Sequence, residues 1–506
     1  MILTRRALAI ALACAASASA FSGPSAGVLG RRPLRKGARA HQRGSLGLRA
    51  QQSTAGLPDI STLGKVAQEL GRSLQYAAQE PLRAQYGTAM IARFSYFLAQ
   101  GIGVALAGIN QGTVADGRVD SDSPAAQAST RTLDPVAVIG ALTDAILADS
   151  DAQVDAAAAK LENISMQDKP FLENDEQRAL FNKNFQSIVK LIKTDLKNIE
   201  EGKYKLPYDM EFGYAPQWTP APVLRKLNIY VQERTKIIDR MYKQDALEVR
   251  KNFKPGDGKY PEYYLQNFHY QSDGWLSARS AEIYDYQVES LFLGMADAMR
   301  RQVMPSIAAH MNALKSKGAM ERDIKVLDVA TGTGRFASFV KQNFPGLPMD
   351  VLDLSPFYLA EAKKLLSKYD DVTYVEAAAE KVPSEDATYE VITCVYLFHE
   401  LPEAVRTEVV KEWYRVLKPG GKIFFVDSAQ AGEVPYDRVL EGFTIIAHEP
   451  YYLNYTQQDL TKMFTDVGFS VDTSEVHWVS KFMVVTKPAV ETVAEPAPAE
   501  EAQAAQ

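Results

Sequence analysis

Two glycines and an acid that follows them about 20 residues later form the clearest chemical pattern in this chain of 506 residues. Gly332 and Gly334 come directly after the apolar run Ile324–Ala330 and before a helical pattern. Glycine lets the backbone turn tightly and approach a ligand without a Cβ in the way. Asp353 ends the next apolar run, where its carboxylate can accept both hydroxyls of a ribose. The spacing therefore predicts a site for a ligand that contains a nucleoside.

Two classes of ligand fit this loop. The segment Gly332–Ala337 matches the dinucleotide pattern G-x-G-x-x-G/A, which favours a nicotinamide-dependent oxidoreductase. Asp328 favours the other class, because it lies inside the first strand, where an anionic pyrophosphate would approach it. A ligand that carries an ammonium and a sulfonium group is compatible with an acid at that position.

The elements that must position these residues alternate between short apolar strands and helices from Ile324 onward. Tyr389–Tyr396 and Lys422–Asp427 have the pattern of further strands, and the helical segment Pro402–Leu417 lies between them. This alternation predicts an α/β fold with a doubly wound sheet. In such sheets, ligands bind at the carboxyl ends of the strands.

Several segments, in order along the chain, resemble the signature segments of class I S-adenosylmethionine-dependent methyltransferases. They are Val326–Ala337, Asp353–Ser355, Glu380–Pro383 and Leu417–Val426, and Phe398–Pro402 and His448–Tyr452 look similar to plastid and cyanobacterial members of the quinone-biosynthesis C-methyltransferase-like group. The resemblance covers Ile324–Pro488. It implies a Rossmann-like sheet, S-adenosyl-L-methionine as cofactor, and a small organic acceptor that is aromatic, quinone-like or pigment-related.

The resemblance also implies which residues bind the cofactor. The methionine part would contact Ala330, Gly332 and Gly334, with Asp328 fixing the loop; Asp353 would hold the ribose; Leu354, Ala379 and Glu380 would lie at the adenine; and Cys394 and Tyr396 would lie near the sulfonium. Two positions depart from the family pattern. Ala330 replaces its first glycine, and Ala378 replaces an adenine-binding Asp, which removes a hydrogen bond worth about 1 kcal/mol.

Catalytic candidates lie on the loops that follow the later strands, where acceptors bind in this fold. The transfer itself mainly requires alignment and exclusion of water, and a base is needed only if the acceptor atom must lose a proton. The candidates are His399, Glu400, His448, Tyr451 and Tyr455, of which we select His399, His448 and Tyr451. For each of them, ordinary packing or helix capping is the alternative explanation.

An aromatic segment, Tyr260–Trp275, precedes the first strand. Its rings Tyr263, Phe268, Tyr270 and Trp275 would either form an apolar lid over a flat acceptor or attach a helical domain to the sheet. The sequence leaves both alternatives open.

Composition excludes some functions and leaves others open. A net charge of -6 argues against a nucleic-acid partner, which would require concentrated Lys and Arg. Six histidines without a pair at ligand spacing, and two cysteines, give no support for a metal site. A non-catalytic assembly or binding protein that retains a cofactor-shaped domain stays open as an alternative to an enzyme.

The sequence predicts six regions: a signal peptide at 1–20, a basic plastid transit peptide at 21–57, a helical N-terminal domain at 58–250 with a linker near 111–135, the aromatic segment with helices at 258–320, the methyltransferase domain at 321–488, and a disordered tail at 489–506. The basic stretch after the signal peptide contains no acid before Asp59, which is typical of a transit peptide. The junction Ala18–Pro24 resembles the bipartite plastid-targeting leader of algae with secondary plastids, which implies that location; secretion with a basic propeptide is the alternative. The N-terminal helices leave room for peripheral membrane contact.

Overall fold

The computed structural model describes most of residues 82–97, residues 135–210 with short gaps, 220–435, 440 and 447–489. The predicted leader at 1–57 lies outside these residues, as do the predicted linker and tail apart from Pro135 and Ala489. The chain divides into two compact units. The first consists of Met1–Glu173 and Pro216–Arg225, and the second of Asn174–Ala215 and Lys226–Gln506.

The first unit contains α1, Pro135–Leu147, and α2, Asp151–Glu162. Lys160 of α2 donates to Asp144 of α1 across 2.5 Å. Two short strands follow, β1, Ser165–Met166, and β2, Lys169–Pro170, and they pair antiparallel. The prediction that this region is all-helical is therefore corrected at this strand pair. Among the described residues of the whole chain, no helix is long and apolar enough to cross a membrane.

Helices of the second unit surround a single large sheet. Their bounds are α3, Asp175–Glu200; α4, Pro220–Lys243, which starts in the first unit; α5, Ala278–Leu291; α6, Ala296–Arg301; α7, Met304–Ser316; α8, Arg335–Asn343; α9, Pro356–Leu366; α10, Glu403–Val416; α11, Tyr452–Gln457; and α12, Leu460–Val467. Short 3₁₀ turns lie at Glu248–Lys251, Glu262–Tyr264, Phe268–Tyr270, Glu321–Asp323 and Phe398–Glu400.

The sheet has seven strands in the order β5-β4-β3-β6-β7-β9-β8. They are β3, Val326–Val329; β4, Met349–Asp353; β5, Val372–Glu376; β6, Tyr389–Val395; β7, Leu417–Ser428; β8, Ser470–His477; and β9, Ser480–Thr486. Strands β3 to β7 are parallel, and the β8–β9 hairpin joins β7 antiparallel. The predicted doubly wound, Rossmann-like sheet is confirmed.

The strand order changes direction at β3, and this is where the site is built. Val329 at the end of β3 pairs with Leu352 of β4 and with Cys394 of β6. All four residues of β3 are buried, as expected for a central parallel strand. The carboxyl ends of the three neighbouring strands therefore meet at one edge, with their loops side by side.

Buried ion pairs join the segment 174–215 to the sheet. Asp195 of α3 and Arg301 of α6 lie 2.5 Å apart and are almost fully buried. Asp209 pairs in the same way with Arg335, the first residue of α8. This segment consequently belongs to the body of the sheet unit, and the division of the chain differs from the predicted boundary near residue 250.

Candidate active site

The loop after β3 turns through left-handed backbone conformations. Ala330, Gly332 and Gly334 have φ angles of 53°, 57° and 77°. At Gly334 a Cβ would lie 3.1 Å from the Cβ of Ala362, so this glycine also permits the close approach of α9. Ala330 takes up a conformation that favours glycine, at the position where the family pattern has one. Both Ala330 and Gly332 line a cavity at the sheet edge.

Asp328 fixes this loop from inside the strand. Its carboxylate accepts a hydrogen bond from Thr331 Oγ1 at 2.6 Å and one from Thr393 Oγ1 at 2.5 Å. Burial raises the pKa of Asp328 to about 6. The side chain ties the glycine loop to β6, and it stands behind the cavity wall instead of lining it.

Asp353 lines the cavity at the end of β4. One carboxylate oxygen accepts the Gly332 N–H at 2.8 Å, and the other accepts the Ser355 N–H at 2.8 Å. Burial raises the pKa of Asp353 to about 6. Each carboxylate oxygen has a further lone pair, so the group can still accept hydrogen bonds from a bound diol.

The charge of the cavity distinguishes between the two ligand classes. Asp353 and Glu400 both contribute carboxylates to its lining, and among the described residues no Lys, Arg or His joins them. Such a lining attracts a cationic ligand and repels a pyrophosphate. The cavity therefore fits a sulfonium nucleoside better than a dinucleotide.

Aromatic side chains form the opposite wall. Tyr263, Tyr264, Phe268 and Trp275 all line the cavity. The rings of Phe268 and Trp275 stack with centroids 5.6 Å apart and an angle of 15° between their planes. Tyr270 faces elsewhere, because its hydroxyl donates to Gln244 at 3.2 Å. Three of the four rings predicted to form a lid thus reach the cavity, and Tyr270 does not.

The remaining cofactor candidates divide into two groups. Leu354, Ala379 and Tyr396 line the cavity, as does Ala378. Glu380 stands outside the lining, where it accepts a hydrogen bond from the Tyr263 hydroxyl at 2.8 Å. Gly334 is also outside, at the start of α8.

The structure differs from the prediction at Cys394. This side chain is fully buried in the hydrophobic core between the sheet and its helices, so it does not line the cavity. Burial raises the pKa of its thiol well above the ordinary value, which leaves it a neutral apolar group. Tyr396, two residues later, takes its place at the cavity with a φ of 58°.

His399 is held by an acid that the sequence analysis did not single out. Its Nδ1 lies 2.5 Å from Asp427 Oδ1, and Asp427 also accepts the Phe398 N–H at 2.7 Å. Burial alone would lower the pKa of His399, but the Asp427 carboxylate outweighs burial and raises the pKa to about 10. The imidazole is consequently a cation at neutral pH. Glu400, its neighbour in the chain, lines the cavity.

His448 and Tyr451 meet at one side chain, Gln266. The Gln266 amide nitrogen donates to the Tyr451 hydroxyl at 2.9 Å and to the Tyr263 carbonyl at 2.9 Å. His448 Nε2 lies 3.0 Å from the Gln266 carbonyl oxygen, and burial lowers the pKa of His448. Neither His448 nor Tyr451 lines the cavity. They join the segment after β7 to the aromatic wall.

Comparison with known proteins agrees with this geometry. A protein-family model described as a methyltransferase domain matches residues 326–421. A putative methyltransferase structure from Bacillus halodurans shares 21% identity over 36% of this chain and 100% of that chain, with a TM-score of 0.28. A ubiquinone/menaquinone biosynthesis C-methyltransferase of Desulfotalea psychrophila is 36% identical over 32% of this chain and 70% of the relative. A demethylmenaquinone methyltransferase of Chlorobaculum tepidum is 32% identical over 38% of this chain and 70% of the relative. This chain belongs to the quinone-biosynthesis C-methyltransferase family.

As a member of this family, the methyltransferase is an enzyme that uses S-adenosylmethionine. The oxidoreductase and the non-catalytic alternatives are therefore set aside. Gln266 and Asp427 were not predicted as site residues, although each lies within a segment with a recognised pattern. The signal available for Asp427 was its place at the carboxyl end of β7, where side chains meet the site.

Proposed function

We propose that this methyltransferase transfers a methyl group to a ring carbon of a quinone-related aromatic acceptor, in its reduced quinol form. The observation that carries the proposal is the stacked pair of Phe268 and Trp275, which faces the same cavity as Asp353. A flat ring can lie against such a wall, since aromatic rings prefer offset stacking or edge-to-face contact. The names of the two relatives, a demethylmenaquinone methyltransferase and a ubiquinone/menaquinone biosynthesis C-methyltransferase, support this class of acceptor.

The proposed cofactor site uses residues of the glycine loop and β4. Asp353 accepts the ribose hydroxyls, Ala330 and Gly332 give backbone contacts to the methionine part, and Leu354 and Ala379 flank the adenine. Asp328 keeps the loop in place through Thr331. When bound, the cofactor supplies an electrophilic methyl group on a sulfonium. The protein aligns the acceptor with it and excludes water.

Proton handling limits the roles of the predicted catalytic residues. A ring carbon that forms a bond to the methyl group, as the methyl–sulfur bond breaks, must give up its hydrogen as a proton, and the Glu400 carboxylate in the cavity lining accepts that proton. His399 is a poor base at neutral pH because it is already protonated, so its role is to position Glu400 and stabilise its charge. We assign His448 and Tyr451 to holding Gln266, and through it the aromatic wall. The polar group of the acceptor lies toward Glu400.

Two measurements on the chain without its leader test this proposal. Calorimetry should detect binding of S-adenosylmethionine and S-adenosylhomocysteine but not of NADH. Incubation with a demethylated naphthoquinol and isotope-labelled S-adenosylmethionine should give a product with the label on carbon. A labelled methyl on oxygen, or no product although S-adenosylhomocysteine binds, would contradict the proposed acceptor chemistry.

Location belongs to the same proposal. We place the enzyme in a secondary plastid, on the basis of the predicted signal and transit peptides at 1–57. A quinone-related acceptor would also require access to a membrane, which the N-terminal helices could provide peripherally. A fluorescent fusion of the complete chain should locate to plastids, and deletion of residues 21–57 should divert it. Vesicle flotation with and without residues 58–173 tests the membrane contact.

A further inference from the structure

Three side chains from three separate segments meet beside the acceptor end of the cavity. His269 Nε2 lies 3.3 Å from Glu400 Oε1 and 3.2 Å from Glu449 Oε1. One ligand atom from each residue lies within 4.8 Å of the others. Ligands at about 2.1 Å around a tetrahedral ion are roughly 3.4 Å apart. The two separations from His269 are close to that value, and the ligand atoms of the two carboxylates lie within 4.8 Å of each other.

The carboxylates in this cluster lack the hydrogen bonds that buried acids normally make. Within the described part of the chain, Glu400 Oε2 and both oxygens of Glu449 have no hydrogen-bond partner. The Glu449 side chain is 0% exposed. Leaving a buried charged oxygen without a partner costs free energy, so such atoms call for an explanation. An ion pair with His269 can provide a partner for only some of these carboxylate oxygens.

We propose that His269, Glu400 and Glu449 bind a divalent transition-metal ion at the acceptor end of the cavity. Three protein ligands leave a fourth position for water or substrate, which is the arrangement of catalytic sites. Imidazole nitrogen with two carboxylate oxygens suits Zn²⁺, Fe²⁺ or Mn²⁺, whereas Mg²⁺ prefers oxygen ligands and retains its waters. The two carboxylates balance the charge of a divalent ion.

The surroundings allow both entry of the ion and contact with substrate. The His269 side chain is 30% exposed, so the site is open to solvent on that side. Glu400 also lines the cavity, so an ion at this cluster would lie beside the acceptor. The ion would bind an oxygen of the quinol and favour its ionised form, which makes the ring carbon more nucleophilic. This role in the reaction rests on the proposed function, whereas binding of the ion does not.

The three ligands lie far apart in the sequence, so no short spacing marks the site there. Here the ligands come from the aromatic segment, from the turn after β6 and from the segment after β7. His399 lies next to this cluster. Asp427 holds its Nδ1, and its Nε2 lies 3.8 Å from Glu400 Oε1. At that distance the imidazole forms an ion pair with the Glu400 carboxylate.

Metal content of the full chain tests the proposal. The protein is stripped with a chelator, dialysed against Zn²⁺, Mn²⁺ or Mg²⁺ in turn, and analysed by mass spectrometry for bound metal. We expect one Zn²⁺ or Mn²⁺ per chain, weak Mg²⁺ binding, and visible absorption bands when Co²⁺ is added. Glu449→Gln and His269→Gln should each weaken Zn²⁺ binding at least about 100-fold, more than the loss of an outer-shell partner does.

The matched control is His477→Gln. His477 and Glu475 form an exposed imidazole–carboxylate pair 3.3 Å apart, so this variant removes a similar pair away from the cavity. It should leave metal binding unchanged. Titration with S-adenosylhomocysteine reports whether each variant is folded, and the Co²⁺ spectrum of the unaltered protein does not depend on any variant.

Failure of this inference can be told apart from failure of the proposed function. If the unaltered chain binds no transition metal, or if the ligand variants bind it as tightly as the control does, the three side chains are a buried ion-pair cluster and the inference is overturned. If the chain binds no metal but still methylates a quinol, the proposed function is supported and only the metal site is wrong. If the chain binds metal at these residues but methylates no quinol, the metal site stands and the acceptor is wrong.

Discussion

The two ends of the cavity are built in opposite ways. The end that we assign to the cofactor comes from one continuous run of strand, loop and helix, in which Asp328, Gly332 and Asp353 follow one another within β3, its loop and β4. The acceptor end is assembled from the aromatic segment, the turn after β6 and the segment after β7, through His269, Glu400 and Glu449 and the rings around them. A local pattern specifies the first end, whereas only the fold creates the second.

The sharpest test of the cofactor end is Asp353→Ala. This change removes the acceptor of the Gly332 N–H and the proposed acceptor of both ribose hydroxyls, and hydrogen bonds to charged groups contribute about 1.5–3 kcal/mol each. We expect the Kd for S-adenosylhomocysteine to rise about 100-fold in calorimetry. Asp350→Asn is the control on the same strand, because Asp350 pairs with Lys325 and not with the cavity. It should affect melting but not affinity, and equal losses in both variants would contradict the assignment.

A lower pH should weaken binding of the cofactor before it unfolds the protein. Burial raises the pKa of Asp353 to about 6, so the carboxylate is ionised at pH 7.5 and loses its charge as the pH falls through 6. At pH 5 about a tenth of it stays ionised, and affinity for S-adenosylmethionine should fall about tenfold. The pH dependence should largely disappear in Asp353→Asn. An affinity that stays constant between pH 7.5 and 5 in the unaltered protein would refute this account.

The acceptor end is tested by two aromatic neighbours of similar burial. Phe268→Leu removes the stacking partner of Trp275, and such contacts are worth about 0.5–1.5 kcal/mol, so the KM for a quinol should rise about fivefold. Tyr270→Phe removes only the hydrogen bond to Gln244 and should leave this KM unchanged. If both variants melt earlier and neither changes the KM, the aromatic segment serves to hold the structure together and is not a wall for the acceptor.

The smallest expected effect is a gain in affinity for the cofactor. Ala378 lines the cavity where related enzymes carry an adenine-binding Asp, according to the resemblance in sequence. Ala378→Asp would restore a hydrogen bond to the adenine amino group worth about 1 kcal/mol, and would lower the Kd for S-adenosylhomocysteine about fivefold. The inosine analogue, which lacks that amino group, should show no gain. An equal gain for both ligands would point to a general charge effect.

The cofactor end of the cavity could be predicted from the sequence, and most of the acceptor end could not. The sheet and the places of Asp328 and Asp353 were predictable, because strand periodicity and glycine conformation act over a few residues. Cys394 and Tyr396 lie on one strand end, and which of them reaches the cavity depends on the left-handed turn at Tyr396, which no propensity predicts. His269 and Glu449 carried no local signal, since a ligand set drawn from distant segments exists only after the chain has folded.

The pairing of Arg335 with Asp209 sets how small this enzyme can be made. Arg335 belongs to the glycine-loop motif, yet its partners Asp209 and Asp297 lie well before the first strand of the sheet. A fragment cut at residue 321 would leave this guanidinium buried without either acid, at a cost of about 3–5 kcal/mol out of a typical 5–15. A shortened chain should therefore keep both acids, which lie in the compact unit that starts at Asn174. Exchange of the sheet with that of a compact relative would succeed only if both acids were carried over with it.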